Sequence, residues 1–205
     1  MSTWSWLGPR LYDPFLALGE RRGMQARRRS LLAHAHGRVL EVGAGTGLNT
    51  AHYPSGLEEL VLAEPDRHMA RVLRARAAAR TVPPVVLDAA AEHLPFDSRT
   101  FDTVVSTLVL CTVRDPRAAL LEVRRVLRPG GQLLFLEHVR SDEPTAARWQ
   151  DRLQPLWEPF ALGCHCNRDL LDDLRATDWA IELLARFAWK GMPSVVGPVV
   201  AGRAV

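Results

Sequence analysis

The chain has 205 residues, 47% hydrophobic and 24% charged, a globular composition that excludes a disordered or fibrous protein and sets the expectation of a single domain. Its formal charge is +3 and almost all of its basic residues are arginines, with Lys190 the sole lysine; the densest group, Arg21, Arg22, Arg27, Arg28 and Arg29, reads as a solvated helix face. The longest apolar run, Val104 to Val113, is short of the roughly 18–20 residues that span a bilayer, and the opening MSTWSWLGPR lacks a secretory pattern, so the expectation is a cytoplasmic chain without stable membrane insertion.

Taken in order, residues 1–35 read as N-terminal helices. Trp4, Trp6, Leu7, Tyr12, Phe15 and Leu16 there suit either a lid over an apolar substrate or packing on the core. Residues 38–42 (RVLEV) read as a buried strand running into a glycine turn and a helix from about Leu48. A strand is expected at 59–64 and a helix from Asp66 to Ala79, with further strands at 82–87, 101–107 and 132–137. Apolar positions 119, 120, 123, 126 and 127 give a helix from Pro116 to Leu127, stopped by Pro129-Gly130-Gly131. This alternation implies a parallel sheet with helices on both faces over a core of residues 36–140. In residues 141–205 the pattern gives helices at 143–162 and, capped by Asn167, at 167–177, then strands at 180–187 and 195–205. The link between the last two strands is too short for a crossover helix, so they form an antiparallel pair.

Cys111, Cys164 and Cys166 are odd in number and read as free thiols. Cys164-His165-Cys166 has no second Cys/His pair at a spacing that closes a four-ligand zinc site, so no metal is expected. Pocket lining by that loop is the alternative to plain packing, and Cys111 reads chiefly as a buried space-filling thiol.

Val39-Leu40-Glu41-Val42-Gly43-Ala44-Gly45-Thr46-Gly47 places glycines where a ligand comes close to backbone. A dinucleotide fingerprint would put its third glycine at position 48, which is leucine here. G-x-G-x-G after an acidic residue instead suits S-adenosylmethionine, whose ammonium Glu41 can face. Glu64 stands 17 residues after Gly47 at the end of the second strand, placed for ribose hydroxyls.

VLEVGAGTG, Glu64, AEHLPFDSRTFDTVV and VLRPGG resemble the class I S-adenosylmethionine-dependent methyltransferases of the small-molecule type. STLVLCTV, LEVRRVLRPGG with EHV, and Gly163-Cys164 before a helix resemble more narrowly the thiol S-methyltransferases of the methyltransferase-like group and their bacterial relatives, with the quinone C-methyltransferases a more distant match. The resemblance implies a Rossmann-like, seven-stranded, mostly parallel sheet ending in an antiparallel hairpin. It also implies S-adenosyl-L-methionine as cofactor and S-adenosyl-L-homocysteine as product. Carried over by position, it sets Gly43, Ala44, Gly45 and Gly47 on the methionyl part, Asn49 in the cofactor site and Glu64 on the ribose. Pro65, Met69, Ala91 and Glu92 fall beside the adenine, and the backbone carbonyl of Thr107 on the ammonium. Where many relatives carry an aspartate two residues before this glutamate, this chain has Ala90.

The sulfonium methyl is already activated, so the protein must chiefly align the acceptor and exclude water. His138, at the end of the fifth strand, is the candidate catalytic residue, against a purely structural hydrogen bond there. Tyr12, Cys111, Trp157 and His165 are candidate substrate contacts. The expected reaction is methyl transfer to a small, apolar acceptor, with a thiol favoured because it supplies thiolate unaided. The alternatives are an O-, N- or C-methyltransferase of quinone, lipid or natural-product metabolism and a catalytically silent cofactor-binding protein. Nucleic acid is disfavoured: the fourth strand is followed by Leu108-Val109-Leu110 rather than an Asn/Asp-Pro-Pro-aromatic loop. Transient lipid contact through the arginines remains open.

Overall fold

The computed structural model describes residues 8–205, with side chains described from Leu11 onward; Trp4, Trp6 and Leu7 of the expected lid lie outside the described residues. Strands β1 (Arg38–Val42), β2 (Glu59–Ala63), β3 (Val85–Leu87), β4 (Phe101–Thr107) and β5 (Leu127–His138) are parallel. β7 (Pro198–Ala204) runs antiparallel between β5 and β6 (Ile181–Ala188), completing a seven-stranded sheet in the order β3-β2-β1-β4-β5-β7-β6. This is the Rossmann-like sheet with a C-terminal antiparallel hairpin that the sequence implies.

β1 and β4 are buried at all but one position each because both faces of the sheet are covered. Leu40, Val104 and Phe135 pack on one side with Leu120 and Val123 of α4 (Pro116–Val126) and Leu174 of α6 (Leu170–Ala176). Val39, Val105 and Leu134 pack on the other with Leu31 and Leu32 of α2 (Gln25–Leu32) and Leu73 of α3 (Arg67–Ala77). Asp66 and Asp115 start α3 and α4 by accepting two backbone N–H bonds each, leaving fewer helix-end donors unpaired. The strand order reverses between β1 and β4, so the loops leaving their carboxyl ends diverge and open a crevice there.

Several local expectations are corrected. No α-helix begins at Leu48; a single 3-10 turn, Thr50–His52, follows the glycine turn, because Pro54 holds Tyr53 extended at φ −66°, ψ 140°. β3 starts at Val85, and residues 194–196 form a 3-10 turn ahead of β7. β5 begins at Leu127, which pairs with Phe101, and the Pro-Gly-Gly stretch lies within it at a break in register rather than ahead of it. Asn167 caps nothing: Asp169 caps α6, while the Asn167 amide donates to Asp151 Oδ1. The N-terminal segment is α1 (Gly8–Gly19) followed across a break at Arg22 and Gly23 by α2, and α5 (Pro144–Phe160) lies after β5. Among the described residues no helix is long and apolar enough to cross a membrane.

Candidate active site

The glycine turn leaves β1 with Gly43 and Gly45 at φ +58° and +56°, in the left-handed region that side chains disfavour. A Cβ at Gly43 would meet Val109 at 2.5 Å, so that glycine is required by packing. A Cβ at Gly45 would meet nothing within 4 Å: the turn is open on that side, as a ligand cradle requires.

Two carboxylates brace the turn. Glu64 Oε2 accepts from the Gly45 amide at 2.7 Å and Oε1 from the Asp66 amide at 2.8 Å, leaving one lone-pair direction free on each oxygen. Burial pushes its carboxyl up, and the two amide bonds oppose this. Glu41 accepts from Asn49 Nδ2 and the Tyr53 hydroxyl, both at 2.8 Å. Burial pushes its carboxyl up to about 7 in spite of those bonds and of Arg28.

Arg28 corrects the reading of the arginine cluster as a solvated face. It is 3% exposed; its guanidinium bonds Glu20 at 3.0 Å, Asn49 Oδ1 at 3.0 Å and Thr107 Oγ1 at 3.2 Å. Asn49 thus links Arg28, Glu41 and Thr107 in one buried network. Helix α1 is clasped over the same turn: Asp13 accepts from the Thr46 hydroxyl and from Arg76 Nη2, both at 2.6 Å. Tyr12, whose hydroxyl burial pushes up, lines the cleft with Arg28, Glu41, Gly45 and Leu108.

Leu108, just past β4, is held at φ +59°, a conformation costing about 1–2 kcal/mol for a non-glycine residue. Glu137 maintains it: fully buried, it accepts from Ser106 Oγ at 2.7 Å and from the Val109 and Leu110 amides. Beyond this loop, three residues meet from three separate segments. His138 Nε2 lies 3.1 Å from Cys164 Sγ, the Trp157 indole N–H donates to the same sulfur at 3.4 Å, and Cys111 completes the group. Cys111, His138 and Cys164 are all buried, and His138 Nδ1 has no hydrogen-bond partner. Bonds from Cys111 and His138 hold the Cys164 thiol well below its usual range. Cys111, which donates to that sulfur, is pushed up.

Of the expected site residues, Glu41, Gly43, Ala44, Gly45, Asn49 and Thr107 converge with Tyr12 on one cleft. Gly47 lies against Leu73, and Glu64 reaches the turn from β2. Pro65 and Met69 follow Glu64 at the start of α3; Ala90 and Ala91 sit beyond β3. Glu92 turns its carboxylate to the Arg114 and Asp115 amides. His165 Nδ1 is fixed by Gln154 at 3.0 Å, outside the cysteine group. Sequence reasoning missed Arg28, Glu137 and Cys164 in these settings. Arg28 had one signal: it falls four residues after Met24 and three before Leu31, both buried, on the inward face of a helix.

A doubly wound sheet with an open glycine turn at its switch point and an acidic residue closing the next strand defines a Rossmann-like protein that holds a ribose-bearing cofactor. Residues 40–135 match the methyltransferase domain family. Human thiol S-methyltransferase TMT1B is 35% identical over 198 residues, covering 90% of this chain and 80% of its own length. The demethylmenaquinone methyltransferase of Mycobacterium tuberculosis is 38% identical over 205 residues, covering 93% and 84%. The crystal structure of a SAM-dependent methyltransferase from Thermotoga maritima has the same fold, with a TM-score of 0.72 at 21% identity over 98% of this chain and 99% of that one. The chain belongs to the S-adenosylmethionine-dependent methyltransferases, and its cofactor is S-adenosyl-L-methionine. The donor set fits that molecule: the buried cation Arg28 and the carboxyl groups of Glu41 and Glu64 surround a turn open at Gly45, matching a ligand that carries a carboxylate, an ammonium and a ribose diol.

Proposed function

We propose that this enzyme methylates the sulfur of a small, apolar thiol. The observation that carries the reading is the engagement of the buried carboxylates at this end of the sheet. Both oxygens of Glu41, Glu64 and Glu137 accept hydrogen bonds from protein groups, and the lone pairs left free on Glu64 serve the ribose, so these carboxylates are committed to bracing the cofactor side rather than to taking a proton from an acceptor. A protonated amine, phenol or carbon acid needs a base, whereas a thiol of pKa about 8.5 yields thiolate unaided. The relation to thiol S-methyltransferase TMT1B over 90% of the chain supports the same choice.

When bound, S-adenosylmethionine supplies a methyl group already activated as a sulfonium electrophile. The chain's own residues bind and align. Glu64 offers its free lone pairs to the ribose, and Arg28 faces the methionyl carboxylate. Glu41, Asn49 and the Thr107 carbonyl face the ammonium, while Gly43, Ala44, Gly45 and Gly47 form the wall behind. Pro65, Met69, Ala90, Ala91 and Glu92 border the adenine. On the acceptor side Tyr12, Cys111, Trp157 and His165 line the approach, and His138, turned onto Cys164, is a positioning residue. Residues 1–35 act as the lid, 36–140 as the cofactor core and 141–205 as the acceptor side of one cytoplasmic domain.

A second reading, C-methylation of a quinol-type acceptor, is favoured by the 38% identity to demethylmenaquinone methyltransferase. The deciding experiment follows S-adenosylhomocysteine release across alkyl and aryl thiols, hydrogen sulfide, phenols, amines and quinols. Turnover confined to thiols supports the first reading; preferred turnover of quinols replaces it with the second.

A further inference from the structure

Cys164-His165-Cys166 is not a metal motif by local spacing, but the fold assembles a different set. Cys111 comes from the loop after β4, His138 from the end of β5 and Cys164 from the turn after α5. One ligand atom from each, two sulfurs and an imidazole nitrogen, lies within 4.8 Å of the others, and all three residues are buried. No other group of three such ligands converges among the described residues.

The three carriers are fixed by bonds that do not use the ligand atoms. The His165 amide donates to the Cys111 carbonyl at 2.8 Å, joining the two cysteine loops directly. Arg168 Nη1 donates to the Leu110 and Val113 carbonyls at 2.8 and 2.6 Å, clamping the Cys111 turn from both sides. From α5, Gln150 Nε2 donates to the Val139 and Cys166 carbonyls at 3.2 and 2.9 Å, and Gln154 Oε1 accepts from the Cys166 amide at 2.9 Å. No lysine or arginine side chain makes a hydrogen bond to either sulfur among the described residues. The Trp157 indole N–H does donate to Cys164 Sγ, the kind of outer partner that steadies a ligating thiolate. His138 Nδ1 is unpartnered, and the ring's polar contact is its Nε2 against sulfur.

We propose that Cys111, His138 and Cys164 form a three-ligand binding site for Zn2+. Two thiolates and an imidazole are a soft donor set suited to that ion. Ligand atoms 2.0–2.3 Å from a tetrahedral ion stand about 3.5–3.8 Å apart, so the 3.1 Å His138–Cys164 contact opens by a few tenths of an ångström to seat it. Three protein ligands leave the fourth position for an exogenous group, as in sites that exchange a ligand rather than merely staple a fold. A thiol entering that position exchanges its proton, released to water, for a metal–sulfur bond; this last point alone rests on the thiol reading given above.

The test uses the full chain, freed of any histidine tag, reduced, equilibrated with Zn2+ and dialysed into metal-free buffer; metal content is then measured, and Co2+ is titrated in as a spectroscopic probe. One zinc retained per chain is expected, with cobalt giving thiolate-to-metal charge-transfer bands and the strong visible bands of a tetrahedral centre. Cys111→Ser and Cys164→Ser should abolish the charge-transfer bands or halve them. His138→Ala should weaken Co2+ binding by about tenfold or more. Cys166→Ser, a buried neighbour outside the group, should keep the bands, separating a lost ligand from a lost fold. Zn2+ should also raise the melting temperature of the parent and not that of Cys164→Ser. No retained zinc together with no bands at saturating Co2+ overturns the proposal, as do bands that persist undiminished in both serine variants. Because metal retention is read without an acceptor, a chain that holds zinc but methylates no thiol leaves the site standing and removes only the thiol reading.

Discussion

Replacing Arg28 tests whether the N-terminal helices are part of the cofactor site or merely cover it. Its guanidinium is 3% exposed and its partner Glu20 14% exposed, so Arg28→Ala leaves a largely buried carboxylate unpaired and strips a donor from Asn49 and Thr107. Breaking a buried pair in this way costs about 3–5 kcal/mol, and the partial hydration of Glu20 lowers the figure to about 2–4 kcal/mol. For a chain of this size that corresponds to a fall in melting temperature of roughly 5–12 °C. Arg28→Lys should fall between parent and alanine variant, because an ammonium can pair with Glu20 but cannot also reach across to Asn49 and Thr107. Thermal melts followed by circular dichroism give the stability change. Calorimetric titration with S-adenosylhomocysteine on the folded variants should show binding weakened by about tenfold or more. An Arg28→Ala protein that melts within about 1 °C of the parent and binds with unchanged Kd would refute both the buried pair and the cofactor contact.

Glu41 has a signed pH signature. Burial raises its folded pKa to about 7 from 4.5, so the folded state holds a proton that the unfolded state releases. Stability is therefore lost as pH rises from 4.5 to 7, by up to about 3 kcal/mol, and Glu41→Gln should flatten that decline in denaturant melts; an equal decline in both proteins contradicts the assignment. Glu64→Ala should weaken cofactor binding in calorimetry by about tenfold or more, and unchanged affinity rejects its ribose role. Gly43→Ala and Gly45→Ala should separate: the first clashes with Val109 and lowers the melting temperature the more, whereas the second, facing open space, chiefly lowers cofactor affinity. Equal melting temperatures and affinities for the two would contradict this division. His138→Ala should lower thiol turnover without moving the pH profile of kcat/KM, as for a positioning residue; loss of a limb of that profile would make it a base.

The core of the fold was legible because its signals are local and strong. VLEVGAGTG joins a buried strand to a glycine turn, and Asp66 and Asp115 stand where helices begin. The antiparallel ending followed from a link too short for a crossover. Errors gathered where a neighbour overrides a local preference: Pro54 cancels the helix expected from Leu48, and Asp169, two residues beyond Asn167, takes the cap. The site was legible along the strands and not across loops. Glu41 and Glu64 lie on strand ends whose position the pattern fixes. Arg28 was hidden inside an arginine run whose other members gave it a solvated appearance. The meeting of Cys111, His138 and Cys164 depends on two loops and a strand end brought together by Arg168, Gln150 and Gln154, which no spacing along the chain encodes.

The central claim is methyl transfer from S-adenosylmethionine to a thiol, and the most direct measurement is S-adenosylhomocysteine formation by the purified full chain with a small aryl thiol, matched against the corresponding phenol. Mass spectrometry of the acceptor reads the methylated atom. The account predicts the S-methyl product and little or no O-methyl product. A protein that binds the cofactor but methylates the phenol and leaves the thiol untouched would contradict it.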